Sequence, residues 1–271
     1  MKNNLSYRQF LAESRRVVVK VGTRVITQRT GRPDLKQMES LVSQIAAMRR
    51  AGIEAVLVTS GAVGAGMEAL GIHERPAVVT DQQMCAAVGQ ARLMTHYTRL
   101  FMRYKIRIGQ ALLTYEDFEQ RVRNANAKRT IEHLLRAGVV PVINENDVVA
   151  DAELKAGLTF GDNDYLAALV ARLIRADLLV ILSTVDGVMR GNGAGRRRIP
   201  CIDKLGPEIF KLVNPSANPL SKGGMDSKLK AARLATEAGC SVVIGNGRKR
   251  DTLTDVIAGK DTGTLILSTN L

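Results

Sequence analysis

The sequence predicts an α/β protein, built as a three-layer αβα sandwich around a mainly parallel central sheet. Two observations lead to this fold class. Short segments that are apolar almost throughout, such as 17–21 and 178–183, alternate along the chain with longer segments of helical periodicity. Strands that are apolar on both faces are typical of a parallel sheet that helices cover on both sides.

The predicted elements follow one another in a regular order. A strand at 17–21 ends in Gly22, and Asp34 caps a helix that runs to about Arg50 with apolar residues on one face. A second strand, "EAVLVTSG", ends in Gly61. Further strands are predicted at 138–147, 177–183, 241–247 and 264–267, and further helices at 81–104, 117–137, 164–175, 226–238 and near Leu253.

Length and composition narrow the class of protein. A chain of 271 residues, 45% hydrophobic and 24% charged, suits one large α/β domain, and no linker divides it, so we predict a single domain over 1–271. No apolar run approaches the roughly 20 residues of a membrane helix, and the amino terminus lacks the apolar core of a secretion signal. The three cysteines form no CxxC pair, which favours buried, reduced thiols in a cytoplasmic protein; they are Cys85, Cys201 and Cys240.

The formal net charge of +13 favours anionic ligands such as phosphate, nucleotides or RNA. The basic residues are scattered, apart from a cluster at 196–198, and aromatic residues make up only 4% of the chain. No segment interleaves basic and aromatic side chains as RNA-binding motifs do. We therefore expect a small anionic ligand and no nucleic acid partner, with a basic RNA-binding protein as the alternative.

Small, polar or glycine residues follow five of the predicted strands. Ligands of parallel sheets gather at the carboxyl ends of the strands, and core packing alone does not require such a composition there. These strand ends are therefore the predicted ligand site. They comprise 20–23, 59–62, 144–147, 183–186 and 245–247.

Two common nucleotide-binding motifs do not account for this pattern. Gly64, Gly66 and Ala69 satisfy the loose dinucleotide fingerprint, but four residues separate Gly64 from the strand end near Thr59. In a true fingerprint the first glycine lies in the turn itself. The P-loop pattern G-x-x-x-x-G-K-[ST] is missing from the sequence. Neither a dehydrogenase nor a P-loop enzyme is favoured, and the glycines indicate close passage of the backbone.

Two lysines are candidates for contact with an anion. Lys20 lies within an otherwise apolar strand, where an unpaired ammonium group would be costly. Lys228 follows a double glycine at a predicted helix start, and taken alone it is most simply a solvated residue of the first turn. No acid or cysteine stands at metal-ligand spacing from any histidine, so the sequence predicts no metal site on His73, His96 or His133.

Several motifs together resemble the amino acid kinase family, and within it the members that phosphorylate the γ-carboxylate of glutamate. "SGAVGAG" (60–66), "INEND" (143–147) and "GDND" (161–164) are far more specific together than a glycine loop alone. The resemblance spans about 15–267, nearly the whole chain. Further matching segments are "VVVKVGTRVIT" (17–27), "QQMCAAVGQARLM" (82–94), "LLVILSTVDGV" (178–188) and "GGMDSKLKAARLATEAG" (223–239).

The resemblance implies the amino acid kinase fold and roles for individual residues. Lys20 and Lys228 would be the cations beside the transferred phosphate, and Asp164 would hold both lysines in place. The substrate L-glutamate would be bound by Ser60, Asp147 and Asn163. The residues that would line the site of ATP, which is expected to enter with Mg²⁺, are Lys20, Ser183, Thr184, Lys222, Gly223, Gly224, Met225, Asp226, Ser227 and Lys228.

The resemblance also implies a homo-oligomer and inhibition by proline, although 114–130 matches the loop expected for an inhibitor only in part. Thr184 stands where family members usually carry Asp, and Lys222 stands where Thr is common, which leaves the nucleotide contacts open. Many bacterial members carry a C-terminal PUA domain, and this sequence stops at Leu271, so none is expected. Another acyl-phosphate-forming kinase of the same fold is the alternative activity.

Overall fold

The computed structural model describes residues 8–150, 163–191, 195–213 and 224–269. A 3₁₀ turn at Phe10–Glu13 precedes the first strand. The strands are β1 (Arg16–Val21), β2 (Glu54–Val58), β3 (Ile108–Leu113), β4 (Val140–Glu145), β5 (Leu178–Ser183), β6 (Met189–Arg190), β7 (Arg197–Arg198), β8 (Cys201–Ile202), β9 (Ser241–Asn246) and β10 (Thr264–Ile266). The helices are α1 (Thr23–Ile26), α2 (Leu35–Arg50), α3 (Ala62–Leu70), α4 (Val79–Met102), α5 (Glu116–Glu119), α6 (Arg121–Arg136), α7 (Asn163–Leu173), α8 (Pro207–Val213), α9 (Met225–Glu237) and α10 (Thr252–Ile257).

Eight strands form one sheet in the order β3-β4-β2-β1-β5-β9-β10-β8, and β6 pairs with β7 in a small ribbon. Neighbours in the large sheet are parallel except for β9 and β10, which run antiparallel. The predicted α/β fold class with a mainly parallel sheet is therefore confirmed. No described helix is long and apolar enough to cross a membrane.

Two hydrophobic cores lie on opposite faces of the sheet. Val17 and Val19 of β1 pack into the core under α2 and α4, whereas Val18 packs into the core under α6, α7 and α9. Because successive side chains of a strand point to opposite faces, Lys20 lies on the same face as Val18. The alternation of β1 thus directs one buried lysine toward α7 and α9.

Several elements were not predicted from the sequence. The glycine-rich segment after β2 is helix α3, whose glycines allow it to pack closely on α4. β3 was missed because it is an edge strand whose residues are mostly half-buried and not apolar throughout. The cysteines are free, as predicted, and Cys85 and Cys240 are buried, but Cys201 is partly exposed.

Candidate active site

The candidate site lies at the carboxyl end of β1, in the middle of the sheet. β1 pairs with β2 on one side and with β5 on the other, so the chain leaves it in opposite directions along the sheet. Such a reversal of strand order opens a crevice at the carboxyl ends of the strands, where ligands of open α/β sheets bind. Lys20 is the next-to-last residue of β1, directly below this crevice.

Two lysines meet a single carboxylate there. Lys20 Nζ lies 2.7 Å from Asp164 Oδ1, and Lys228 Nζ lies 2.8 Å from Asp164 Oδ2. The side chain of Asp164 is 0% exposed, that of Lys20 2% and that of Lys228 8%. We call these three residues the ionic cluster. A solvated surface position for Lys228, which its sequence context alone favoured, is therefore wrong.

Three different elements bring the ionic cluster together. Lys20 comes from β1, Asp164 from the first turn of α7, and Lys228 from the first turn of α9. α9 begins directly after Gly224, and Ser227 Oγ donates a hydrogen bond to the Gly224 carbonyl oxygen. The cluster is thus a product of tertiary packing, since its members are separated by more than sixty residues in the chain.

The ionic cluster contains more cationic than anionic groups. Two ammonium groups and one carboxylate lie together in a buried position. Each ion of a buried pair loses several kcal/mol of hydration, so buried charges need partners. Ammonium groups in such a position are suited to bind an anionic ligand with oxygen acceptors, such as a phosphate group.

A neutral cluster of amides lies beside it. Asn163 Nδ2 donates to the Thr59 carbonyl oxygen, to Ser60 Oγ at 3.0 Å and to Asn144 Oδ1 at 2.8 Å. Asn144 Nδ2 in turn donates to Gln90 Oε1 at 2.8 Å. We call Gln90, Asn144 and Asn163 the amide cluster. Its hydrogen bonds link the sequence-predicted Ser60 and Asn163 to Asn144, which lies in a predicted strand-end segment, and to Gln90, to which sequence reasoning gave no role.

Close packing of α3 on α4 fixes Gln90 in this place. A Cβ atom on Gly66 would lie 1.7 Å from the Cys85 carbonyl oxygen, and one on Gly89 would lie 1.8 Å from the Ala62 carbonyl oxygen. Glycine is therefore required at both positions by the approach of the two helix backbones. The "SGAVGAG" motif and the neighbouring "GQ" thus form one unit that sets the position of the amide cluster.

The nucleotide residues predicted from the sequence lie along the next strand ends. Ser183 ends β5 beside Asn246 of β9, and Thr184 is exposed just beyond it. Asp186 accepts a hydrogen bond from Asn246 Nδ2 at 2.9 Å and pairs with Lys249 at 2.8 Å. The pKa of Asp186 is lowered, and the hydrogen bond from Lys249 is the main cause. Gly224 to Ser227 open α9, whereas Lys222 and Gly223 lie outside the described residues.

Arg248 braces the segment that follows Lys20. Its Nε donates to the Arg24 carbonyl oxygen at 2.9 Å, and its Nη2 donates to the Thr27 carbonyl oxygen. A Cβ atom on the adjacent Gly247 would lie 2.8 Å from Val25 Cγ1, so β9 and α1 are in close contact. Nothing in the sequence pattern indicates this contact, because the partners are more than 200 residues apart.

The other residues that the sequence analysis considered, Asp147 and the histidines, are not part of either cluster. Asp147 lies in the turn after β4 and is partly exposed. Burial lowers the pKa of His96, which disfavours its charged form. Among the residues that the structure describes, no group of three His, Cys, Asp or Glu side chains could hold a metal ion.

Comparison with known proteins agrees with this geometry. The model of the amino acid kinase family matches residues 15–246. A glutamate 5-kinase of Moorella thermoacetica is 43% identical over 95% of this chain and 68% of its own length. A glutamate 5-kinase of Clostridium acetobutylicum is 39% identical over 97% of this chain and 98% of its own length.

Two solved structures share the fold at low sequence identity. A carbamate kinase from Giardia lamblia bound to AMP-PNP has a TM-score of 0.66 and 18% identity over 94% of this chain and 99% of its own. A UMP kinase from Bacillus anthracis has a TM-score of 0.60 and 16% identity over 94% of this chain and 97% of its own. The family model covers most of the sequence, and the two solved structures share the fold of this chain. The chain belongs to the amino acid kinase family.

Proposed function

We propose that this protein transfers the γ-phosphoryl group of ATP to the γ-carboxylate of L-glutamate. The product is glutamate 5-phosphate, the first intermediate on the route to proline. The observation that carries the proposal is the ionic cluster beside the neutral amide cluster, both at the carboxyl ends of the central strands. The names of the relatives at about 40% identity support glutamate as the acceptor.

The chemistry requires no general base. A carboxylate is already deprotonated at neutral pH and attacks phosphorus directly. The difficulty is that two anions must approach each other, so catalysis consists of positioning and charge neutralisation. The two buried ammonium groups of the ionic cluster meet that requirement.

Lys20 and Lys228 neutralise the transferred phosphoryl group. Their ammonium groups lie on opposite oxygens of Asp164, which holds both at a fixed separation without using all of their hydrogens. Charge develops on the phosphoryl oxygens during transfer, and preorganised donors aimed at that charge stabilise the transition state. Asp164 acts through the two lysines and does not itself need to touch the substrate.

The polar groups near the amide cluster hold the amino acid. Ser60 and Asn163 are joined by a hydrogen bond at 3.0 Å and lie at the end of β2. Asp147, in the turn after β4, supplies a carboxylate for the α-ammonium group of glutamate. Asn144 accepts a hydrogen bond from Asn163 Nδ2 and so keeps Asn163 in the required orientation.

The nucleotide lies across the ends of β5 and β9 and the start of α9. Ser183, Thr184 and the segment 224–228 line it, and the N–H groups of the first turn of α9 face the phosphates. Magnesium would neutralise the phosphate oxygens when bound. The described residues provide no group of three His, Cys, Asp or Glu side chains that could hold a metal ion.

Three further features belong to this proposal. Residues 1–271 act as one kinase domain, since a single sheet takes its strands from Arg16 to Ile266. The protein forms a homo-oligomer, which light scattering would test. Proline inhibits the reaction, and unchanged kinetics in millimolar proline would refute that part.

The decisive experiment is a substrate screen with ATP and Mg²⁺. Glutamate, aspartate, N-acetylglutamate and carbamate are each supplied, and the acyl phosphate is trapped with hydroxylamine. We expect an acyl hydroxamate with glutamate above all. Turnover with another acid instead of glutamate would favour a different acyl-phosphate-forming kinase of this fold. RNA binding with a steep salt dependence and no ATP turnover would favour a non-catalytic basic protein.

A further inference from the structure

One backbone carbonyl sets the orientation of the whole amide cluster. The Thr59 carbonyl oxygen can only accept a hydrogen bond, so the Asn163 amide must turn its Nδ2 toward it. The same Nδ2 faces Asn144, which must therefore present its Oδ1. Asn144 then has only Nδ2 for Gln90, and Gln90 must present Oε1. The oxygen and nitrogen positions of all three amides are thus fixed by their neighbours.

This polarity leaves a donor at the end of the chain of amides. Gln90 is only 9% exposed, and its Nε2 is buried without a hydrogen-bond partner. A buried donor without an acceptor is destabilising, because it has lost its hydrogen bonds to water. At the other end, no described residue donates to Asn163 Oδ1. The cluster therefore offers one donor and one acceptor, which matches the carboxylate and ammonium of an α-amino acid.

The course of α4 places Gln90 over the ends of the strands. Leu100 and Phe101 of this helix pack in the core, and Tyr97 bonds to Thr59 Oγ1 at 2.8 Å, at the end of β2. Gln90 lies two turns before Tyr97, about 10 Å farther along the helix axis. It is therefore beyond the end of β2, on the same side as Asn144 and the crevice.

We propose that Gln90 is a specificity-determining residue, whose Nε2 donates a hydrogen bond to the α-carboxylate of the amino acid substrate. The inference rests on the proposed function, because glutamate supplies the α-carboxylate. Bound substrate satisfies the orphaned donor, and a ligand without an α-carboxylate leaves it unsatisfied. A site built in this way rejects analogues that lack the bonded group.

Two variants of Gln90 separate this role from a purely structural one. Gln90→Glu keeps an oxygen acceptor for Asn144 and replaces the free donor with an anionic oxygen. Gln90→Met removes both the acceptor and the donor. We expect Gln90→Glu to melt earlier than wild type, because its new carboxylate is buried. Its KM for glutamate should rise by about a hundredfold, because a carboxylate then faces a carboxylate. Gln90→Met should melt earlier, and its KM for glutamate should rise about tenfold, on the order of one lost hydrogen bond to a charged group.

Gln44→Glu is the matched control. Gln44 is also buried in a helix, its Oε1 accepts from the Leu253 N–H at 2.8 Å, and its Nε2 donates to the Ser40 carbonyl oxygen. It packs against α10, away from the amide cluster. This control should lower the melting temperature and leave the KM values for glutamate and ATP unchanged.

A shortened ligand provides the second test. The compound 4-aminobutyrate lacks only the α-carboxylate of glutamate, and its inhibition constant should be the same for wild type and Gln90→Met. A glutamate KM within twofold of wild type in Gln90→Glu would overturn the proposal and leave Gln90 as a support for Asn144. Equal losses of glutamate and 4-aminobutyrate affinity in Gln90→Met would overturn it too.

Failure of the proposed function gives a different result. In that case the wild-type protein forms no acyl hydroxamate with glutamate under any condition. The role of Gln90 is then judged by calorimetric binding of glutamate alone. The proposal requires that binding to be present in the wild type and weakened in Gln90→Glu, and it is refuted without it.

Discussion

The ionic cluster and the amide cluster solve two binding problems at one edge of the sheet by opposite means. The ionic cluster holds two ammonium groups and one carboxylate, all of them at least nine-tenths buried. The amide cluster is neutral, and its hydrogen bonds run in one direction set by a backbone carbonyl. Charge suits a group whose own charge changes during the reaction, whereas neutral dipoles suit a zwitterion that only has to be held.

One residue of each cluster is adjacent to a residue of the other in the sequence, and the two clusters are also neighbours in space. Asn163 belongs to the amide cluster and Asp164 to the ionic cluster, both in the first turn of α7. Their side chains leave the helix in different directions, toward β2 and β4 for Asn163 and toward β1 and α9 for Asp164. A shift of α7 would therefore move both halves of the site together.

Asp164→Asn should have the largest effect on this arrangement. It keeps the shape of the side chain and removes the negative charge with which both ammonium groups pair. We expect the free energy of unfolding to fall by about 3–5 kcal/mol, as when one partner of a buried pair is removed. Turnover should fall by at least about a hundredfold, because both phosphate-facing lysines lose their support. Urea denaturation and the hydroxamate assay measure the two effects.

Asp255→Asn is the control for that variant. Asp255 pairs with Lys260 at 2.7 Å on the surface, and exposed pairs of this kind contribute little to stability. If both Asp→Asn variants unfold at the same urea concentration, the buried ion pairs of the ionic cluster contribute no more to stability than an exposed pair does.

Lys228→Ala tests the catalytic half of the ionic cluster. Its charge is expected to act mainly on the transition state, so its removal should raise the activation free energy by several kcal/mol. We therefore expect kcat to fall about a hundredfold to a thousandfold, while the KM for glutamate changes little. Lys230→Ala is the control, since Lys230 lies on the same helix and pairs with Asp226 at 2.8 Å at a partly exposed position. Near wild-type turnover in Lys228→Ala would show that its ion pair with Asp164 is only structural.

The fold and the ionic cluster differ in how far the sequence predicts them. Parallel strands such as β1 and β5 are apolar on both faces, so they stand out in the sequence and were predicted within a few residues. The antiparallel direction of β10 leaves no such trace in three residues. The burial of Lys228 depends on Asp164, which is 64 residues away, and no local pattern reports it.

The amide cluster was only half visible in the sequence. Ser60 and Asn163 lie in motifs that resemble known family segments, and they were predicted for that reason. Gln90 stands in a helix where glutamine is unremarkable on propensity alone. Its importance follows from the polarity of a chain of amides that begins at Thr59, and this polarity exists only in the folded protein.

Gly89→Ala breaks the support of the amide cluster without changing its chemistry. The added methyl group would lie 1.8 Å from the Ala62 carbonyl oxygen and 2.3 Å from the Gly66 nitrogen, so α3 and α4 must separate. We expect a loss of unfolding free energy of about 1–3 kcal/mol, with a rise in the KM for glutamate that the KM for ATP does not share. Gly195→Ala, where an added Cβ meets nothing within 4 Å, should be neutral. Equal changes in the two KM values would indicate general loosening of the protein.

Asp147→Asn tests whether the neutral half of the site uses a charge for the α-ammonium group. A hydrogen bond between charged groups contributes about 1.5–3 kcal/mol, so the KM for glutamate should rise about tenfold to a hundredfold while the KM for ATP and the melting temperature stay unchanged. Asp117→Asn is the control, because Asp117 caps the Thr114 N–H at 2.7 Å and should affect stability alone. Earlier melting with normal glutamate binding would make Asp147 a turn residue as well.

Asp186→Asn should have the smallest effect, and it sharpens the contrast between buried and exposed charge at the same edge of the sheet. Asp186 and Lys249 are about half exposed, so their pair should contribute no more than about 1 kcal/mol at neutral pH.

The hydrogen bond from Lys249 lowers the pKa of Asp186 below its ordinary 3.8. A carboxyl group whose pKa is lowered on folding stabilises the protein above the unfolded pKa, and this stabilisation is lost as the pH falls through the folded pKa. The difference in unfolding free energy between wild type and Asp186→Asn should therefore be small at pH 7, shrink further in 1 M salt, and vanish once the pH lies below the folded pKa. A difference of several kcal/mol that salt does not reduce would mean that this exposed pair behaves like the ionic cluster, and that burial is not what separates the two.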